Sequence, residues 1–129
     1  MKIIFYSSSR EDTEKEICEM LKELASEESI EMYQSIEELK QCLKRLFNHE
    51  TIVILRARDR EELLRIVSLS DLLQGLRIIL LIPNRDRETI SIAHQLRPRF
   101  LSNGESDFSD TMSVLQKMVQ HINRKGLGF

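Results

Sequence analysis

Two short aliphatic runs decide most of what this chain can fold into. TIVIL at residues 51–55 and RIILLIP at 77–83 are almost wholly β-branched or leucine, with no polar residue alternating inside them. A strand of that kind has to be covered on both faces, which is the situation of a central strand in a parallel sheet. Parallel neighbours need a crossover, and a helical pattern stands before, between and after the two runs.

The rest of the chain repeats the same unit. KIIFYS at 2–7 reads as a first strand. The helix after it opens at Thr13 with Glu16 as a capping-box partner, and Ile17, Leu21, Leu24 and Ala25 form its inner stripe. SIEMYQS at 29–35 alternates apolar and polar residues as a half-covered edge strand does. Ser35 and Glu38 make a second capping box, ahead of Leu39, Leu43 and Leu46. The third helix is expected from about Arg60 toward Gln74, with a break where Ser68, Ser70 and Asp71 weaken it and Gly75 as a left-handed end. Asn84 or Asp86 caps a short fourth helix carrying Ile90, Ala93 and Leu96, and Pro98 stops it. RFLSN is a brief fifth strand. A last helix from about Ser109 places Met112, Leu115, Met118, Val119 and Ile122 on one stripe.

Five strand–helix units in 129 residues predict a single three-layer α/β domain over residues 1–123, with 124–129 as a loose tail. The expected fold is a doubly wound, flavodoxin-like five-stranded parallel sheet, strand order 2-1-3-4-5.

Composition narrows the function. The net charge of −2 supplies no global field for nucleic acid, and no apolar run approaches the roughly 20 residues that span a bilayer. The N-terminal MKIIFYSSS lacks the body of a signal peptide, so a cytoplasmic location is expected. Cys18 and Cys42 fall in helical patterns without metal spacing, and His49, His94 and His121 are scattered. No metal is expected. SSSREDT after the first strand resembles the hydroxyl-rich phosphate loop of flavodoxins but lacks the glycine those loops use for close backbone approach. No cofactor is expected either, and no G-x-S-x-G turn supports hydrolysis.

The five alternating units, the two solid aliphatic strands and the short fifth strand resemble the receiver domain of bacterial response regulators. That resemblance implies a phosphotransfer site at the C-terminal ends of the strands. It would comprise an acidic pair after strand one, a phosphoacceptor aspartate ending strand three, Ser or Thr after strand four and Lys after strand five. Aligned by strand ends, this sequence has Ser7, Ser8 and Ser9, then Arg56, then Ile82 and Pro83, then Asn103 followed by Gly104. Uncharged serines are poor magnesium ligands, and an arginine cannot act as the nucleophile. Asp59 stands four residues past the strand with Glu62 three further on, which suits an N-cap better than a phosphoacceptor. The expectation is therefore a degenerate receiver, not an enzyme, retained as a protein-interaction module in signal transduction.

Two surfaces could carry that work. Arg10, Arg56, Arg58, Arg85 and Arg87 fall in the loops after strands one, three and four, with Arg60 opening the third helix. Guanidinium forks and helix N-termini bind carboxylates and phosphates, so a small-anion or nucleotide site is the alternative function. Acidic neighbours in the same loops offer the competing outcome, mutual neutralisation. The receiver resemblance implies a second surface on the fourth helix, fifth strand and last helix, where Ile90, His94, Arg97, Arg99, Phe100 and Met112 would meet a protein partner or a second copy.

Overall fold

The computed structural model describes residues 2–8, 19, 22, 30–45, 51–103, 113–118 and 120. Its sheet has five strands: β1 (Lys2–Tyr6), β2 (Ile30–Tyr33), β3 (Thr51–Arg56), β4 (Arg77–Ile82) and β5 (Phe100–Asn103). All four pairings are parallel and the order is β2-β1-β3-β4-β5, the doubly wound arrangement expected from the alternation. The two aliphatic runs lie next to each other as β3 and β4, with Val53 opposite Ile78 and Leu55 opposite Leu80.

Strand geometry sends alternate side chains to opposite faces, and the core divides accordingly. Ile4, Tyr6, Val53, Leu55, Ile78, Leu80 and Ile82 form one layer with Leu39, Leu43, Leu63, Ile66, Leu73 and Ala93 from helices. Ile3, Phe5, Ile52, Ile54, Ile79 and Leu81 form the other, packed with Leu115 and Met118 from the helical residues 113–118. Each fully buried aliphatic side chain contributes roughly 1.5–3 kcal/mol, so β3 and β4, sealed on both faces, supply much of the apolar stabilisation.

Helix α1 (Ile36–Lys44) starts at Ser35, whose hydroxyl accepts the Glu38 N–H at 3.1 Å; Leu39, Cys42 and Leu43 turn inward at helical spacing. The expected third helix is two pieces, α2 (Arg60–Val67) and α3 (Ser70–Leu73). The break has a local cause. The Ser68 hydroxyl donates to the Arg65 carbonyl, and the Leu69 N–H bonds Ile66, a tighter turn than the α-helix continues. Gly75 then sits at φ 82, as a left-handed end requires.

Helix α4 (Arg87–His94) departs in detail from the sequence reading. Asp86 occupies the N-cap position, but its side chain makes no capping bond; Asn84 Oδ1 accepts the Asp86 N–H at 3.0 Å instead. The capping box at Thr13 and Glu16 and the inner stripe from Ile17 to Ala25 lie outside the described residues, as do Cys18, His49, His121 and the tail. Among the described residues no helix is long and apolar enough to cross a membrane.

Candidate functional site

In an open parallel sheet the loops leaving the C-terminal ends of the strands meet at one edge. Ligands enter where the winding changes direction, here the crevice between β1 and β3. β3 ends in Arg56, half-buried, and the ladder continues one residue further because the Ala57 N–H bonds the Leu81 carbonyl at 2.9 Å. The last residue of the central strand is thus a guanidinium, and the next carboxylate is Asp59.

Asp59 is occupied. Its Oδ1 accepts the Glu62 N–H at 2.8 Å at the start of α2, and its Oδ2 faces Arg58 Nε at 3.4 Å. The backbone N–H of Glu62, then the Arg58 charge, hold the carboxyl below the ordinary aspartate range. This is the N-cap role read from the sequence.

Its capping-box partner behaves otherwise. A glutamate at this position usually turns back to the N-cap N–H. Glu62 reaches one residue further, accepting the Arg58 N–H at 2.9 Å through Oε1, while Oε2 accepts the Ser8 hydroxyl at 2.7 Å. The side chain is buried, with 7% exposure, and spans from the β3–α2 loop to the loop after β1. Tyr6 completes the cluster. Burial first, then the negative charge of Glu62, push the Tyr6 phenol up to about 12. The crevice therefore contains a carboxylate, yet one held by neutral donors at a position no strand-end alignment selects.

The arginines of this edge divide into two groups. Arg58 faces Asp59, and Arg60 bridges α2 to α4, with Nη1 2.7 Å from Glu88 and Nη2 3.5 Å from Asp86. Arg65 pairs with Glu61 one turn earlier at 3.5 Å. Arg85 and Arg87 are exposed and make no hydrogen bond or ion pair among the described residues. Arg85 borders a shallow cavity of about 200 Å³ with Ile82, Ile90, Leu101 and Ser102. Arg10 lies outside the described residues.

Of the candidate interface residues, His94, Arg97 and Arg99 are exposed; Ile90 and Phe100 are half-buried against the two core layers. Arg97 is left-handed at φ 49, directly before Pro98. Met112 lies outside the described residues. Among the described residues no group of three His, Cys, Asp or Glu side chains is placed to hold a metal ion.

A second polar cluster, not anticipated from the sequence, occupies the flank of β2. Glu31 accepts the Tyr33 hydroxyl at 2.6 Å and the Cys42 thiol at 3.5 Å through one oxygen, and Lys2 Nζ lies 2.9 Å from the other. The Tyr33 hydroxyl bond is the main cause that lowers the Glu31 carboxyl; burial raises the Tyr33 and Cys42 groups. Tyr33 and Cys42 also line a groove of about 330 Å³ with Glu37, Glu38, Gln41 and Arg45.

No protein-family model matches the sequence, and no curated protein matches it. Solved structures do share the fold. A crystal structure of a candidate pilus assembly-related protein from Burkholderia pseudomallei superposes with a TM-score of 0.67 at 16% identity, covering 93% of this chain and 90% of the other. A candidate pilus assembly protein, CpaE, from Burkholderia thailandensis gives 0.63 at 16% identity, over 93% and 98% of the two chains. A de novo designed Rossmann 2x3 protein gives 0.56 at 20% identity, over 93% and 90%. At these identities the likeness establishes a flavodoxin- or Rossmann-like fold.

Proposed function

We propose that this chain is a receiver-like domain without phosphotransfer chemistry, working as a protein-binding module in bacterial signalling or assembly. One observation carries the reading: the crevice of the doubly wound sheet has an arginine at the end of β3, and Glu62, the one buried carboxylate among the described residues, is spent on Ser8 and the Arg58 N–H. A phosphoacceptor must be free to attack, and a magnesium site needs charged oxygen ligands with room for the ion. Glu62 offers neither, and Asp59 is engaged as a cap. Two structures with this fold bear pilus-assembly descriptions, which favours work within a macromolecular assembly over small-molecule turnover.

Binding would fall on the end of α4 and the connection to β5, where His94, Arg97 and Arg99 are exposed. Incubation with acetyl phosphate and magnesium is expected to leave the intact mass unchanged, and a phosphoryl adduct on Asp59 would overturn the silent reading. Sedimentation at micromolar concentration and pull-down test the binding role; a strict monomer capturing nothing counts against it. The alternative, a small-anion or nucleotide site, is favoured by Arg85 and Arg87, which are exposed and make no ion pair among the described residues. Stabilisation by phosphate or a nucleotide that Arg85→Ala abolishes would establish it.

A further inference from the structure

We propose that the crevice between β1 and β3 is a small-oxyanion receptacle that the chain keeps shut with its own Glu62 carboxylate. Three features point there. First, the carboxylate lies at the winding switch of the sheet, the place where doubly wound folds receive ligands. Second, its donors come from separate segments, the Ser8 hydroxyl at 2.7 Å and the Arg58 backbone N–H at 2.9 Å, with the buried Tyr6 phenol alongside. A hydroxyl and a backbone amide converging on one pair of oxygens are the donor set proteins use for carboxylate and phosphate oxygens. Third, Glu62 passes over the local partner its position favours, the N-cap N–H, to reach the first strand's loop. An ordinary helix start needs no such reach, whereas a tethered anion standing where a free one would bind does.

The receptacle takes an oxyanion of carboxylate or phosphate size. In the chain as it stands an external anion has to displace Glu62, which puts a negative charge in the way and withholds both donors. This inference rests on the silent reading only in taking the crevice to hold no phosphoacceptor, and the two can fail separately.

The test compares the full-length chain with Glu62→Ala and Glu62→Gln, titrated with sodium acetate and with inorganic phosphate against chloride at matched ionic strength. The readouts are melting temperature and the amide resonances of Ser8 and Arg58. Glu62→Ala should show saturable shifts at both amides and a melting temperature raised by acetate or phosphate, with at least tenfold tighter binding than the wild type. Glu62→Gln still fills the crevice and should respond as the wild type does. A folded Glu62→Ala chain with no saturable response overturns the proposal, and so does a wild type or Glu62→Gln chain that binds equally well. Acetate and phosphate arms distinguish which oxyanion fits. Should Glu62→Ala fail to fold in chloride, recovery of its fold in acetate supports the receptacle. Glu62→Ser is the second arm; if both chains stay unfolded in every salt, the carboxylate is a structural necessity and not a latch. A phosphoryl adduct on Asp59 would sink the silent reading and leave these titrations standing.

Discussion

Glu62 and Glu31 each meet a tyrosine and a smaller donor, yet one lies inside the crevice between β1 and β3 and the other on the open flank of β2. Glu62 is 7% exposed and held by a hydroxyl and a backbone amide, with no cation bonded to it among the described residues. The Glu31 side chain is 36% exposed and shares a salt bridge with Lys2. Burial sets the stakes. A buried acceptor cannot be lost without orphaning its donors, whereas water replaces the partners of an exposed one.

The largest expected effect follows from that difference. Glu62→Ala should lower the free energy of unfolding by about 2 kcal/mol, read by urea denaturation, because the Arg58 N–H and the Ser8 hydroxyl lose their acceptor. A loss no larger than that of an exposed substitution would erase the contrast. Ser8→Ala removes one of the two bonds and should cost about 1 kcal/mol in the same assay.

On the other flank, Glu31→Gln should cost less than about 1 kcal/mol and the difference should fade in high salt, since the Lys2 pair is screened by solvent. Its pH dependence has a definite sign. The folded Glu31 carboxyl is lowered, so its contribution is present above the ordinary glutamate value near ~4.3 and disappears as pH falls through the lowered one. Glu31→Gln should flatten that part of the acid limb, and an unchanged limb would show that the cluster does not form in solution. The smallest effect is chemical. Burial pushes the Cys42 thiol up, so at pH 8 iodoacetamide should modify it more slowly than a free thiol. Fast modification would mean that α1 does not cover the flank.

How far each region could be read from the sequence follows from the range of its interactions. β3 and β4 declare themselves because an unbroken aliphatic run has no solvent face to offer. The caps at Ser35 and Asp59 were equally legible, since each spans three residues. The split of the third helix was legible as a weakness at Ser68, while its geometry depends on a hydroxyl donating back to the Arg65 carbonyl. Glu62 is different: its spacing from Asp59 suggests a capping box, and only the adjacency of β1 and β3 brings Ser8 within its reach. The Glu31 cluster was half legible. Alternation along β2 puts Glu31 and Tyr33 on one face, but Lys2 and Cys42 arrive from other elements.

The pairing of β3 with β4 also bears on how the chain reaches its native state. Val53 and Ile78 are closer in sequence than Ile4 and Val53, so the β3–β4 ladder closes a shorter loop than the β1–β3 ladder. The two most aliphatic strands are thus better placed than β1 and β3 to pair early, with β1 docking afterwards. Their amides should be the last to exchange with deuterium, and the crevice, completed only when β1 arrives, should open earlier than the ladder beneath it.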